Sequence, residues 1–394
     1  MSVLSDLLRP VSVRKFLRDH REKATLLVSE GAGGKFQHLF SMETMDRIVS
    51  SGYLRHPECK LAKDGGEIPP NRYVVGDTAV GTIDTDALYS EYSRGATIVI
   101  NAVHRYWRPL SHFCLEIERL LSVPVHANAY LTPRGSQGFA VHYDPHDVFI
   151  LQIAGTKRWR LYGSPLILPD EKQRFNSSIV PVGRIQKRCT LGAGDLLYIP
   201  RGHLHDATST KEASLHVTVG IKGTTWGDLL LEAVSILVRS DVTLRTSLPA
   251  GFARGHSATA SVQRKLSHLK AKVGSNLPLS GALDELSNRF VYRRQPFLEG
   301  QLLDLERGKP LRLESIVAKR PEVLFRVWRQ RNKVCMLFFR KKILFPAFVR
   351  PALEFAADAE SFRPREIPGG LTNESKLVLC RLLVKEGFLR IVAG

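Results

Sequence analysis

Cysteine is scarce in this chain. Cys59, Cys114, Cys189, Cys335 and Cys380 are the five in 394 residues, odd in number and widely spaced. That excludes a disulfide framework and any paired-thiolate metal motif, and it fits a reducing, cytoplasmic setting. Long apolar runs are missing too. No stretch approaches the roughly 20 residues that a membrane-spanning helix needs. The first residues, Met1–Asp6, place an acid where a secretory leader would have its cationic region. No Ser-His-Asp or Cys-His nucleophile pattern stands out. Acidic residues are in deficit: 38 Asp and Glu against 57 Lys and Arg leave a net charge of +19. That balance favours RNA, ribosomal particles or acidic peptides as neighbours, although a generally arginine-rich composition would give the same number. Cationic clusters at 326–333 and 340–342 are interleaved with Trp328, Phe338 and Phe339. Amphipathic elements explain that spacing as well as a nucleic-acid surface does, and are the preferred reading.

The informative segment is His142-Tyr143-Asp144, followed at a distance by Pro200-Arg201-Gly202-His203-Leu204-His205. In an extended segment side chains alternate faces, so His142 and Asp144 point the same way. A second histidine completes two imidazoles and one carboxylate on one face of a metal. That set leaves coordination positions open and is the signature of non-haem Fe(II) oxygenases. Zinc or manganese would also fit a barrel of this kind. His203 and His205 are two apart and either could be the distal ligand. A ligand within the strand after the 200–202 turn favours His205. His146 is a weaker rival to Asp144 because it follows Pro145.

The surroundings read as short strands punctuated by glycine and proline: Asp147–Ile153, Lys157–Tyr162, Leu196–Ile199 and Ala213–Ile221. Such a series predicts a sandwich or barrel, with a core from about Val125 to Ile221. Residues 128–144, Asp147–Gln152, Lys157–Trp159, Gly194–Gly202 and Thr225–Leu230 together resemble the JmjC ribosomal oxygenases, 2-oxoglutarate-dependent protein hydroxylases. The resemblance implies iron ligands at His142, Asp144 and His205. It implies that Lys157 binds the distal carboxylate of 2-oxoglutarate, with Asn128 and Tyr130 as further contacts and the strand carrying His216 and Thr218 close by. It implies Fe(II) as metal, with 2-oxoglutarate and dioxygen as co-substrates. Hydrogen abstraction from carbon by such chemistry needs no general base. His203 departs from the family, whose members carry a bulky apolar or small residue there; it is read as a solvated loop residue. Trp159 is read as a core residue facing away from Lys157.

The expected architecture is a mostly β catalytic core, a double-stranded β-helix of the jelly-roll, cupin or JmjC type, over residues 1–222. A helical dimerisation region over 223–300 and a winged-helix-like α+β module over 301–394 follow. In the first part, Val13–His20 and Met42–Val49 read as helices capped by Ser12 and Ser41, Ser111–Leu121 as an amphipathic helix, and Thr25–Val28 and Thr97–Ile100 as strands. Thr225 and Asp228 form a capping-box pair ahead of a helix that is apolar nearly all round, which calls for burial on several sides. A homodimer would supply that. Residues 250–280 read as a polar mobile loop and then a helix. Towards the end, Pro351–Glu360 reads as a helix, Ser361–Pro368 as a linker, Asn373–Glu386 as a helix capped by Thr372 and stopped at Gly387, and Phe388–Val392 as a strand. The expected activity is hydroxylation of a histidine or arginine side chain in a ribosomal protein or ribosomally made peptide. The competing readings are N-methyl-lysine demethylation and a non-catalytic cupin scaffold that binds RNA or the ribosome.

Overall fold

The computed structural model describes residues 2–29, 34–250, 252, 260–306, 311–321 and 323–392. The chain divides into two compact units, Met1–Gly223 and Thr224–Gly394.

In the first unit two antiparallel sheets face one another in a cupin-like jelly roll. The larger has eight strands in the order Leu26–Val28, Leu196–Ile199, Asp147–Ala154, Ser214–Ile221, Val125–Thr132, Thr97–Ile100, Cys59–Lys63 and Gly66–Glu67. The smaller has Lys187–Leu191, Lys157–Gly163 and Leu204–Ser209. Period-two alternation sorts the large sheet's side chains. Phe149, Leu151, Val217, Val219, Ala127 and Ala129 belong to the core that the sheet shares with the helices Val3–Leu8, Val13–Asp19, Met42–Ser50 and Arg108–Leu121. Their neighbours Val148 and Ile150 point the other way and meet Trp159, Leu161 and Leu191 of the small sheet. Each fully buried aliphatic or phenylalanine side chain contributes roughly 1.5–3 kcal/mol, so both layers hold the sheet from either side. Gly155 turns the chain from the large sheet into the small one at φ +64°, where a Cβ would lie 1.9 Å from the Ala213 carbonyl oxygen.

Ser12 and Ser41 cap their helices as expected, each accepting a backbone N–H three residues on. The strands Thr97–Ile100 and Leu26–Val28 extend the barrel sheet. Cys59–Lys63 joins them, although its sequence, Cys-Lys-Leu-Ala-Lys, carried too little alternation to stand out.

In the second unit the helix Trp226–Ser240 opens with the Thr225–Asp228 capping box and packs on Leu279–Tyr292, with Arg289 donating to Glu232. Ala233 and Leu237 are buried, whereas Trp226 is 83%, Leu230 49% and Leu231 72% exposed within this chain. The loop expected at 250–280 falls partly outside the described residues, at 251 and 253–259; Ala260–Asn276 is helical. Phe325–Gln330, Lys333–Phe338 and Lys341–Pro346 form an antiparallel meander. A second small sheet runs Ser361–Phe362, Val317–Lys319, Leu389–Ile391. The Ser361–Pro368 segment, read from sequence as a linker, therefore supplies an edge strand, with buried Phe362 anchoring it in the core. The helices Arg350–Asp358 and Asn373–Lys385 pack on the same core.

Candidate metal centre

His205 is the second residue of Leu204–Ser209 and follows a register irregularity against Lys157–Gly163. His142 and Asp144 lie outside regular strands. His142 instead forms an isolated antiparallel bridge with His205: His142 N–H donates to the His205 carbonyl at 3.1 Å, and His205 N–H to the His142 carbonyl at 2.8 Å. This exchange brings distant stretches of chain together at the site. One ligand atom from each of His142, Asp144 and His205 lies within 4.8 Å of the others, and His205 Nε2 is 3.7 Å from Asp144 Oδ2.

The tautomers follow from the partners. His142 Nδ1 is 2.8 Å from the Ala140 carbonyl and His205 Nδ1 is 2.9 Å from the His203 carbonyl. A carbonyl only accepts, so Nδ1 carries a proton in both rings, and Nε2 is the nitrogen left to face a metal. That outer hydrogen bond fixes the ring of a metal-binding histidine. Burial pushes the His205 imidazole down to about 4, so at neutral pH it is in the neutral, ligating form. Burial raises the Asp144 carboxyl, but the adjacent His205 and His142 outweigh it and hold the group below its ordinary value. Two imidazoles and a carboxylate are the donor set that a divalent cation takes.

The triad opens on a cavity of about 270 Å³ between the two sheets. Lys157 lines it and is 5% exposed. Its Nζ donates to Thr132 Oγ1 at 3.0 Å, and Thr132 accepts from Thr97 at 3.1 Å. Among the described residues no carboxylate pairs with Lys157, and burial pulls its ammonium down to about 7. A buried cation with no carboxylate beside it is a place prepared for an anion. Tyr130, His216 and Thr218 also line the cavity. Tyr130 and His216 stack at 4.8 Å, burial drives the Tyr130 phenol up to about 12, and burial followed by Lys157 lowers His216 well below its usual value. The buried His216 Nδ1 and Trp159 Nε1 have no protein partner. Asn128 shares Tyr130's strand face, but it lies outside the lining and accepts from Ala102 N–H at 2.9 Å.

Several expectations need correction. Trp159 does not face away from Lys157: residues two apart in a strand share a face, and both line the cavity. His203 is half-buried rather than solvated, and burial lowers its imidazole; its contribution to the site is its carbonyl. His146 packs edge-on against His126 at 4.9 Å and stands outside the triad. Sequence reasoning also missed Thr132, which the two-residue spacing from Tyr130 would have placed on the inner face, and Thr97, for which no sequence signal existed. Another omission is Asp206, which lines the cavity and is held by Arg160 Nε at 2.7 Å.

The fold and the site define a cupin-type JmjC protein with a two-histidine, one-carboxylate metal centre. Residues 104–229 match the JmjC domain family model. The chain is 30% identical over 336 residues to ribosomal oxygenase 2 of Mus musculus, covering 80% of this chain and 70% of that protein. It belongs to the ribosomal oxygenase family. It is also 30% identical over 321 residues to the bifunctional lysine-specific demethylase and histidyl-hydroxylase NO66 of Drosophila persimilis, covering 74% of this chain and 44% of that one. Against ribosomal oxygenase 1 of Gallus gallus the identity is 30% over 308 residues, 73% and 50% of the two chains. The chain thus spans about half or less of the length of several curated relatives that it matches. Among solved structures, YcfD, a ribosomal oxygenase from Escherichia coli in complex with cobalt and 2-oxoglutarate, shares the fold at a TM-score of 0.54 and 17% identity, covering 98% of this chain and 99% of that one.

Proposed function

We propose that this protein is an Fe(II)- and 2-oxoglutarate-dependent oxygenase that hydroxylates a histidine side chain in a ribosomal protein. The observation that carries the reading is the coexistence, in one cavity, of the His142–Asp144–His205 triad and the carboxylate-free Lys157. The relatives' names, ribosomal oxygenase and histidyl-hydroxylase, point the same way.

His142, Asp144 and His205 would hold the metal. Iron there, with 2-oxoglutarate and dioxygen, supplies the oxidising power for insertion of oxygen into a C–H bond. Lys157 would grip the co-substrate's distal carboxylate, with Tyr130, Thr132, His216 and Thr218 as polar neighbours and Asn128 steadying the strand behind them. Val148 and Ile150 give the cavity an apolar wall.

Histidine is favoured over arginine by the cavity's charges. The carboxylates that line it are Asp144, committed to the metal, and Asp206, committed to Arg160. An entering guanidinium would find no free anion, and an unpaired buried charge is expensive. A neutral imidazole meets no such cost.

The second unit is read as an assembly and partner-binding module. The exposed Trp226, Leu230 and Leu231 support a homodimer through the helices of 223–300, and the helix–strand arrangement of 301–394 supports a winged-helix-like module. Among the described residues no helix is long and apolar enough to cross a membrane, and a cytoplasmic setting is the reading carried from the free cysteines.

The test is incubation with Fe(II), 2-oxoglutarate, air and a panel of ribosomal-protein peptides, read by mass spectrometry. A single-oxygen addition on histidine, dependent on His142 and Lys157, is expected. Formaldehyde release from a methyl-lysine peptide without oxygen addition would replace hydroxylation by demethylation, and succinate production with no modified peptide would remove the ribosomal substrate.

A further inference from the structure

We infer that the open face of the meander formed by Phe325–Gln330, Lys333–Phe338 and Lys341–Pro346 binds single-stranded RNA. The inference is independent of the catalytic reading.

From 323 to 353 the chain has eight Arg and Lys and no Asp or Glu. Alternation divides the meander's faces. Val334, Met336, Phe338 and Phe345 enter the second unit's core. The opposite face carries Trp328, Lys333, Lys342 and Leu344. In register, Trp328 lies beside Cys335 and Cys335 beside Leu344, while Lys342 lies beside Leu337. The helix Leu279–Tyr292 covers part of this face, where Arg326 donates to Asp284 and Asn288. Along the middle strand Cys335 and Leu337 of this face are buried, and Trp328 is half-buried; the face is open at its edges, where Lys333 and Lys342 are exposed and Leu344 is 47% exposed. Lys342 Nζ stands 5.8 Å and the Arg326 guanidinium 6.0 Å from the Trp328 ring centroid, so cations and a half-buried aromatic ring are presented together.

The two hairpin tips add to this. Arg331 has φ +54° and Arg340 φ +62°. Glycine, asparagine and aspartate are the usual residues in such turns, because the left-handed region strains other side chains. Both arginines are exposed, and neither has an ion-pair partner among the described residues. The tips therefore hold two exposed cations at opposite ends of the meander.

Carboxylates do not neutralise the surface. Asp284 is taken by Arg326 and Glu386 by Lys341. Spaced cations beside an aromatic platform match a single strand, whose phosphates pair with the cations and whose bases stack on the ring. An acidic peptide would use the cations and leave Trp328 idle. Duplex RNA keeps its bases stacked and inaccessible to the ring.

The experiment is fluorescence polarisation of the full chain with a labelled single-stranded RNA of mixed sequence, across a salt series. Four phosphate contacts, from Arg331, Lys333, Arg340 and Lys342, give a slope of about −2.8 in log K against log salt, or about fiftyfold weaker binding between ~50 and ~200 mM salt. The combined variant Arg331→Glu, Lys333→Glu and Lys342→Glu is expected to bring the slope below about one. Trp328→Leu is expected to weaken binding by about fivefold or more, with an unchanged circular dichroism melt establishing that the fold persists. Lys172→Glu, an exposed cation in the other unit, should change neither. RNA binding that is absent at low salt, or undiminished in the triple variant, would overturn the inference. So would polyglutamate binding as tightly as RNA through the same three residues, which would assign the face to an acidic protein.

Discussion

The sharpest prediction concerns the pH dependence of 2-oxoglutarate binding. In the free protein Lys157 is fully enclosed, with Thr132 as its hydrogen-bond partner, and burial brings its pKa down to about 7. A dicarboxylate that docks on Lys157 requires the ammonium form, so binding above pH 7 must take up a proton. The folded-state pKa is depressed, which means that the protonated fraction falls as pH rises through 7. Affinity should therefore weaken by up to tenfold per pH unit. Between pH 7 and 9 the dissociation constant is expected to rise by about fiftyfold, because the neutral fraction grows from half to nearly all. Two neighbours in the cavity titrate outside this window: burial holds His205 at about 4 and Tyr130 at about 12. The assay is isothermal titration under anaerobic conditions with a redox-inert divalent metal in the triad, in buffers of different ionisation heat so that proton uptake is counted directly. Lys157→Arg, which stays charged, should flatten the profile, whereas Lys157→Ala should lose about ten- to hundredfold at pH 7. An affinity that is level from pH 7 to 9, with no proton uptake, would refute the reasoning, for it would mean that Lys157 is already charged or does not face the ligand.

Other outcomes follow from the same geometry. His142→Ala, Asp144→Ala and His205→Ala should each abolish iron-dependent turnover, while His203→Ala should keep most of it, as measured by succinate formation and metal content. Gly155→Ala should destabilise the first unit by about 2 kcal/mol or more, since the new Cβ meets a carbonyl in a left-handed backbone; urea denaturation of the full chain checks this. Light scattering over a dilution series should give a dimer mass, and a monomer at micromolar concentration would remove the dimer.

Much of the barrel was legible because its strands carry period-two alternation and its turns carry glycine. The triad was legible because two of its members are two residues apart. Thr97 was not, because it reaches Lys157 only through the pairing of Thr97–Ile100 with Val125–Thr132, a long-range fact with no local trace. Nor was the edge strand Ser361–Phe362, two residues whose identity as a strand comes wholly from their partner Val317–Lys319. Trp159 was legible and was assigned to the wrong face: spacing from Lys157 is enough to put both in the cavity.

The two rings of the metal centre are each steered by a carbonyl two residues earlier in the chain, at Ala140 and His203. Every amino acid carries that acceptor. The device is consequently indifferent to the side chains at 140 and 203, and those positions are at liberty to drift while the ligand geometry stays put. An imidazole at 203 can thus stand next to His205 while only its carbonyl is engaged at the candidate centre. It also means that the parts of this centre most important for aiming its ligands leave no mark on the amino-acid alphabet, and only backbone coordinates reveal them.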